Sequence, residues 1–121
     1  MSPNEVIVAV RRRNEILVVH RSPGNGGFWH LIAGPVEEGE TPEEAAVRAL
    51  SEIAKLSTTV APLDFSFTHH EIQVDAFVAD APAGWEPALG RGHDQYIWCS
   101  PGYALKLLYW PEPREIVEML P

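Results

Sequence analysis

The residues best suited to chemistry crowd one short stretch. Glu37, Glu38, Glu40, Glu43 and Glu44 place five carboxylates within eight residues, and Arg48 and Glu52 follow at helical spacing. Carboxylate oxygens at this density are the ligands that hard cations such as magnesium take. They also have a plainer use, in which Glu43 and Glu44 complement a helix dipole, Glu40 makes an internal contact and the others are solvated. Phe28, Trp29, Trp85, Tyr96 and Trp98 lie near expected loops or strand ends, where each either stacks on a ring or fills the core. Trp85 is the best placed for stacking, because its loop is polar and rich in glycine and proline. Arg21 and Arg91 have the chemistry to meet phosphate oxygens or to pair with surface acids. His93 occupies a loop position suited to ligand contact, whereas His20 and His30 read as structural strand residues. His69 and His70, adjacent in an expected strand, would point to opposite faces and not share a metal.

The elements that must position these residues follow from periodicity and punctuation. Glu5 to Val10 and Ile16 to His20 are rich in β-branched residues and flank a charged tip, Arg11 to Glu15, which reads as a hairpin. The three arginines of that tip are solvated turn surface or, in the functional reading, a phosphate clamp. A breaker-dense loop, Ser22 to Gly27, precedes a strand over Phe28 to Ile32; it serves as connector, lid or phosphate cradle. Thr41-Pro42-Glu43-Glu44 supplies an N-cap, a proline in the first turn and a capping box. Ala46, Ala49, Leu50 and Ile53 continue that helix as an apolar stripe to about Leu56. Strands are expected at Thr58 to Val60, Asp64 to Thr68, Ile72 to Ala79 and Gln95 to Cys99, with a loop over Asp80 to His93. Helices then start at Ser100-Pro101 and at Pro113.

From Gly34 to Leu56 the sequence resembles the Nudix box, G-x5-E-x7-R-E-U-x-E-E-x-G-U with U aliphatic. Gly34, Glu40, Arg48, Leu50, Glu52 and Leu56 match it; Ala49, Ile53 and Lys55 depart from it. The second hairpin strand with Arg21, and Phe28-Trp29 before the box, extend the resemblance over most of the chain. Among subfamilies it is most similar to dihydroneopterin triphosphate pyrophosphatases and diadenosine tetraphosphate hydrolases.

The resemblance implies a single Nudix-like domain over residues 1–121, an α/β/α sandwich with a mixed sheet, the box helix on one side and C-terminal helices on the other. It also implies hydrolysis of nucleoside diphosphates linked to another moiety, with Mg2+ or Mn2+ activating a water. Positions 49, 52 and 53 share one helical face on which such metals would be held. Only Glu52 carries a carboxylate there, and Gly92 stands where many members have a further loop carboxylate, unless Asp94 substitutes for it. The expectation is therefore a weak, metal-dependent hydrolase. Its catalytic residues would be Glu52, Arg48 and Glu40, its metal ligands Glu52 with Glu37 or Glu38, and its substrate contacts Arg21, Phe28, Trp85 and His93. The alternative is a non-catalytic domain that binds a nucleotide or a protein partner, with Ala49 and Ile53 absorbed into the helix's packing surface.

Composition sets the outer bounds. The chain has 121 residues, 45% hydrophobic and 21% charged, enough for one domain with a real core. A formal charge of -8 argues against nucleic acid or an anionic membrane as the main partner, so an anionic ligand needs a local basic pocket or a bridging metal. A small nucleotide or other diphosphate-containing ligand fits, and a homodimer is compatible. One cysteine, Cys99, excludes an intramolecular disulfide. Without a basic leader or a long apolar run, a cytoplasmic protein is expected.

Overall fold

A computed structural model describes residues 4–90 and 92–120. The chain opens with strands β1 (Asn4–Arg12) and β2 (Glu15–Arg21), followed by a 3-10 turn at Pro23–Asn25. Short strands β3 (Trp29–His30) and β4 (Ile32–Pro35) precede the helix α1 (Pro42–Ala54). Strands β5 (Ala61–His69), β6 (Ile72–Asp80) and β7 (His93–Cys99) follow, and helices α2 (Pro101–Leu107) and α3 (Pro111–Met119) end the molecule.

Strand alternation builds two core layers. Val6, Val8 and Val10 of β1, with Leu17 and Val19 of β2, face Ala45, Ala46, Ala49, Leu50 and Ala54 of α1. Their neighbours Ile7, Ala9, Ile16 and Val18 turn the other way, against Ala104, Leu108, Ile116 and Val117 of the C-terminal segment. Burial on both faces is why β1 reads as an unbroken apolar run rather than an alternating one. The architecture is the expected α/β/α sandwich. Its sheet is mixed, because β1 pairs parallel to β6 while the other pairings are antiparallel.

A fork in the sheet shapes the site. β1 and β2 pair only beside their hairpin, at Arg11↔Ile16 and Arg12↔Glu15, and then part. The segment after the glycine-rich loop bridges the opening. β3 pairs with β2 at Val19 and His20, and β4 crosses to pair with β1 from Glu5 to Val8. The single strand expected over Phe28 to Ile32 is therefore two strands, broken at Leu31 by the change of partner.

Thr58 to Val60, expected as a strand, is coil, and pairing begins at Ala61. Asp64, with φ 53°, sits in a register shift between Pro62 and Ser66. His70 and Glu71 form the left-handed tip of the β5–β6 turn, so His70 is not in the strand with His69. The last helix starts at Pro111 rather than Pro113. Helix α1 has the expected start: the Thr41 hydroxyl accepts from the Glu44 N–H, and the Glu44 carboxylate accepts from the Thr41 N–H. It ends on Lys55 with φ 61°.

Candidate functional site

Arg48 organises the acidic stretch. Its Nε donates to Glu40 Oε2 at 2.8 Å, its Nη2 to Glu40 Oε1 at 3.1 Å and to the Pro35 carbonyl at 2.7 Å, and its Nη1 to Glu52 Oε1 at 3.0 Å. Glu37 Oε1 lies 3.4 Å from the same Nε. A planar guanidinium is suited to this, since its donors point in fixed directions around one centre. The bonds to Glu40, and then to Glu52, raise the Arg48 pKa; Arg48, and then the Glu37 N–H, hold the Glu40 carboxyl below its ordinary value. Arg48 thus ties the end of β4, the loop after it and the middle of α1 into one unit.

The magnesium site implied by the box is not formed by these residues. Ala49 is 3% exposed and belongs to the core layer under α1, and Ile53 packs against the same layer. Glu52 is largely exposed, yet it, Glu40 and Glu37 all turn an oxygen to Arg48, while Glu38 is simply exposed. Gly92 offers no side chain, and Asp94 is paired through Oδ1 with His20 Nδ1 at 2.7 Å. Among the described residues no group of three acidic, histidine or cysteine side chains is arranged to hold a metal ion. A cation bound here would have Glu52 Oε2, the oxygen of that carboxylate not turned to Arg48, and would rely on oxygens brought by a ligand.

On the opposite face of the sheet, the fork between β1 and β2 opens a cavity of about 190 Å³. Arg21, Phe28 and His30 form one side of it, Phe67 and His69 of β5 another, and Trp110 with Glu112 a third. Glu5 and Ala33 complete the wall nearest the box. The rings form a continuous set. The centroid of Phe28 lies 5.6 Å from that of His30 and 6.0 Å from that of Trp110, and His69 meets Trp110 at 5.4 Å. The Arg21 guanidinium lies over Phe28, 5.5 Å from its centroid.

Burial, with repulsion from Arg21 and smaller contributions from His93 and His69, lowers the His30 pKa from 6.5 to about 3. His93 is lowered by burial and then by Arg21, and Arg21 itself is lowered by burial. Both histidines are therefore neutral near pH 7. Cavity and box meet through β1 and β4: Glu5, a cavity residue, is the register partner of Pro35, whose carbonyl Arg48 holds.

The structure thus gathers Glu37, Glu40, Arg48 and Glu52 at the box, and Arg21 and Phe28 at the cavity with His93 nearby. Trp85 lies elsewhere. It packs edge-on to Trp98, centroids 6.2 Å apart, against the core layer under α1, and does not line the cavity. Its loop is pinned there by residues that sequence reasoning missed. Glu86 accepts from Arg12 Nη1 at 2.7 Å, from the Tyr96 hydroxyl at 3.1 Å and from Trp98 Nε1 at 3.2 Å. Arg12 covers the Trp98 ring at 4.1 Å, and Arg11 pairs with Asp80 at 2.8 Å. These two arginines are at the hairpin end of β1, away from the cavity, and act as structural pairs. His30 and Trp110 are the other unforeseen site residues, and nothing local in the sequence marks them; of the His69 and His70 pair, His69 lines the cavity. Arg91 lies outside the described residues.

Comparison with known proteins agrees with this architecture. The chain is 32% identical over 111 residues to an octanoyltransferase of Myxococcus xanthus, covering 85% of this chain and 31% of that protein. It is 36% identical over 83 residues to an NAD-capped RNA hydrolase of Edwardsiella ictaluri, covering 65% of this chain and 32% of the relative. The chain therefore spans about a third of the length of these two relatives. A CTP pyrophosphohydrolase of Escherichia coli is 26% identical over 122 residues, covering 94% and 88%. The E. coli dihydroneopterin triphosphate pyrophosphohydrolase superposes with a TM-score of 0.84 at 20% identity, covering 96% and 92%, which speaks for the fold. The model of the NUDIX domain matches residues 1–120, and the chain belongs to that family.

Proposed function

We propose that this chain is a slow hydrolase of nucleoside diphosphate-linked compounds. The observation that carries the reading is the Arg48 clamp. It holds Glu40, the Pro35 carbonyl and Glu52 together beside β4, where Pro35 is the register partner of the cavity residue Glu5. In this reading the ring of the substrate lies among Phe28, His30 and Trp110, and its phosphates run past Arg21 toward Glu52. Arg48 positions Glu52 by its bond to Oε1 and leaves Oε2 to orient an attacking water. A divalent cation, Mg2+ or Mn2+, is then part of the substrate, as the complex of its diphosphate. With one protein carboxylate in place of a cluster, affinity for that complex is low and turnover slow.

Relatives named for CTP and for NAD-capped RNA support a nucleotide-linked substrate. The RNA in the second name runs against the expectation from charge that nucleic acid is not a partner, and a capped RNA end belongs among the substrates tried. No helix among the described residues is long and apolar enough to cross a membrane.

A panel of nucleoside diphosphate-linked compounds with excess Mn2+ tests the proposal, with Glu52→Gln as control. Turnover by the wild type that falls at least about tenfold in Glu52→Gln is expected. Turnover unchanged by that substitution ends the proposal.

A second reading, a non-catalytic domain that binds a nucleotide or a protein partner, is favoured by the burial of Ala49 and Ile53 in the packing surface of α1. It predicts nucleotide binding with no turnover on any member of the panel.

A further inference from the structure

An open sheet edge presents unpaired N–H and C=O groups, and proteins protect it with bulges, prolines, lysines or a covering segment. Strand β5 bounds the sheet beside β6 and pairs on that side alone. Its first half is protected in this way, since Pro62, the left-handed Asp64 and the register shift between Pro62 and Ser66 break the edge. Its second half has none of these devices. From Ser66 to His69 the register to β6 is regular, and the stretch holds no proline, lysine, arginine or acid. Among the described residues no backbone bond reaches it from outside the sheet. At the other end of the sheet, β7 is fastened through Tyr96 and Trp98 to Glu86 of the preceding loop.

The turn after β5 fixes which of its groups are free. His70 and Glu71, with φ 50° and 67°, make a two-residue hairpin between the register partners His69 and Ile72. Hydrogen-bonded pairs alternate from there along an antiparallel ladder. His69 and Phe67 therefore exchange bonds with β6, and the backbone groups of Ser66 and Thr68 point outward. Side chains alternate as well. Phe65 and Phe67, their rings 5.8 Å apart, are half-buried on the face of the C-terminal helices, and Ser66 and Thr68 are exposed.

We propose that this half of β5 is the self-association surface of the chain, an antiparallel β5–β5 pair about a two-fold axis at Phe67, normal to the sheet. Ser66 then exchanges both backbone bonds with Thr68 of the second copy. Phe67 stands against its own counterpart in a non-hydrogen-bonded pair, where side chains are closest. An axis at Ser66 would require the left-handed Asp64 to pair with Thr68, and one at Thr68 would require the turn residue His70 to pair with Ser66. With the axis at Phe67, the acid Asp64 lies toward the base His70 of the second copy.

The occupant is a second copy because the strip complements itself: its free donors meet its free acceptors, and phenylalanine meets phenylalanine. Charge selects the same place. Two chains of formal charge -8 repel, and an uncharged strip is where they approach at least cost, so salt strengthens the association. A pairing from Ser66 to Thr68 is far smaller than a standard interface of roughly 20–30 residues a side, and the dimer is correspondingly weak. Phe67 and His69 line the cavity, so the pairing sets the two cavities on one face of a continuous sheet, each bordered by Phe67 of the second copy. The pairing goes beyond the hydrolase reading and stands whatever the cavity binds.

The test is sedimentation velocity on the whole chain from about 10 µM to about 1 mM, at about 0.05 M and about 0.5 M NaCl. A monomer–dimer equilibrium is expected, with more dimer at the higher salt. Thr68→Pro removes an outward donor at an edge position that tolerates proline, and Ser66→Glu adds an acid to the strip. Each is expected to weaken the dimer by about tenfold or more, the effect of about 1.4 kcal/mol. Should Thr68→Pro not fold, Ser66→Glu carries the test, because its side chain is exposed. The register is read by oxidative cross-linking, in which a mixture of Ser66→Cys and Thr68→Cys is expected to form disulfide-linked dimers faster than either variant alone. Monomer throughout the concentration range overturns the proposal. So does a dimer that neither substitution weakens, which places the interface elsewhere, or cross-linking no faster in the mixture than in the separate variants.

Discussion

Gly34 and Ala49 face each other where the box meets α1: a β-carbon on Gly34 would stand 3.4 Å from the Ala49 β-carbon. Position 49 is therefore next to the backbone at the end of β4, in a pocket now closed by a methyl group. Restoring carboxylates with Ala49→Glu and Ile53→Glu places two acids beside Glu52 on one helical face. Each must leave the packing of α1 to reach water. The double variant is expected to be less stable than wild type by about 3 kcal/mol in urea denaturation without metal, the scale for forcing unpaired polar groups into a core. Mn2+ is expected to return part of that stability by binding only the folded form. A folded variant indifferent to Mn2+ would show that the box no longer admits a cation.

Position 55 carries the third departure from the box, with a different consequence. Lys55 closes α1 with φ 61°, a conformation that costs an L-residue about 1 kcal/mol and glycine almost nothing. The side chain is exposed, so little packing is lost with it. Lys55→Gly is expected to raise stability by about 0.5–1 kcal/mol, read as a higher urea midpoint with an unchanged m-value. A lower midpoint would mean that the lysine stem contributes packing that outweighs the strain.

How far the site was legible in the sequence follows from the range of the interactions that build it. Helix α1 is encoded locally. Thr41, Pro42 and Glu44 fix its start, and the alanine and leucine stripe fixes its buried face, so Arg48 and Glu52 could be placed relative to one another from spacing alone. The same holds for the two-layer core, because β1 alternates between Val6, Val8, Val10 and Ile7, Ala9. The cavity is not local. It exists because β1 and β2 part after two register pairs and β3 and β4 take different partners, which no periodicity announces. His30 read as a structural strand histidine for that reason. Trp85 misled in the opposite sense: its surroundings are loop-like, but Arg12, distant in sequence, fastens that loop to β1, and Glu86 fastens it to β7. At the C-terminus both Pro111 and Pro113 suit a first helical turn, so the boundary shifted by two residues.

His30 links this cavity to stability in acid. Its folded pKa is about 3 against 6.5 for the ordinary side chain, so between these values the unfolded chain binds the proton more tightly than the folded one. Unfolding free energy then rises with pH across this window: the stability associated with neutral His30 is whole above about pH 6.5 and is lost as pH falls toward about 3. His93, lowered in the same direction, adds to the loss near the upper end. Glu40 enters later, since its carboxyl is held below its ordinary value by Arg48 and its contribution fades only as pH falls below about 4.5. Urea midpoints measured at pH 7, 6 and 5 are therefore expected to fall steadily for wild type. The His30→Gln variant is expected to show a shallower fall. The difference in slope approaches, and does not exceed, the limit of about 1.4 kcal/mol per pH unit for one proton. Parallel lines for the two proteins would place the His30 proton in contact with solvent or a partner in the folded state.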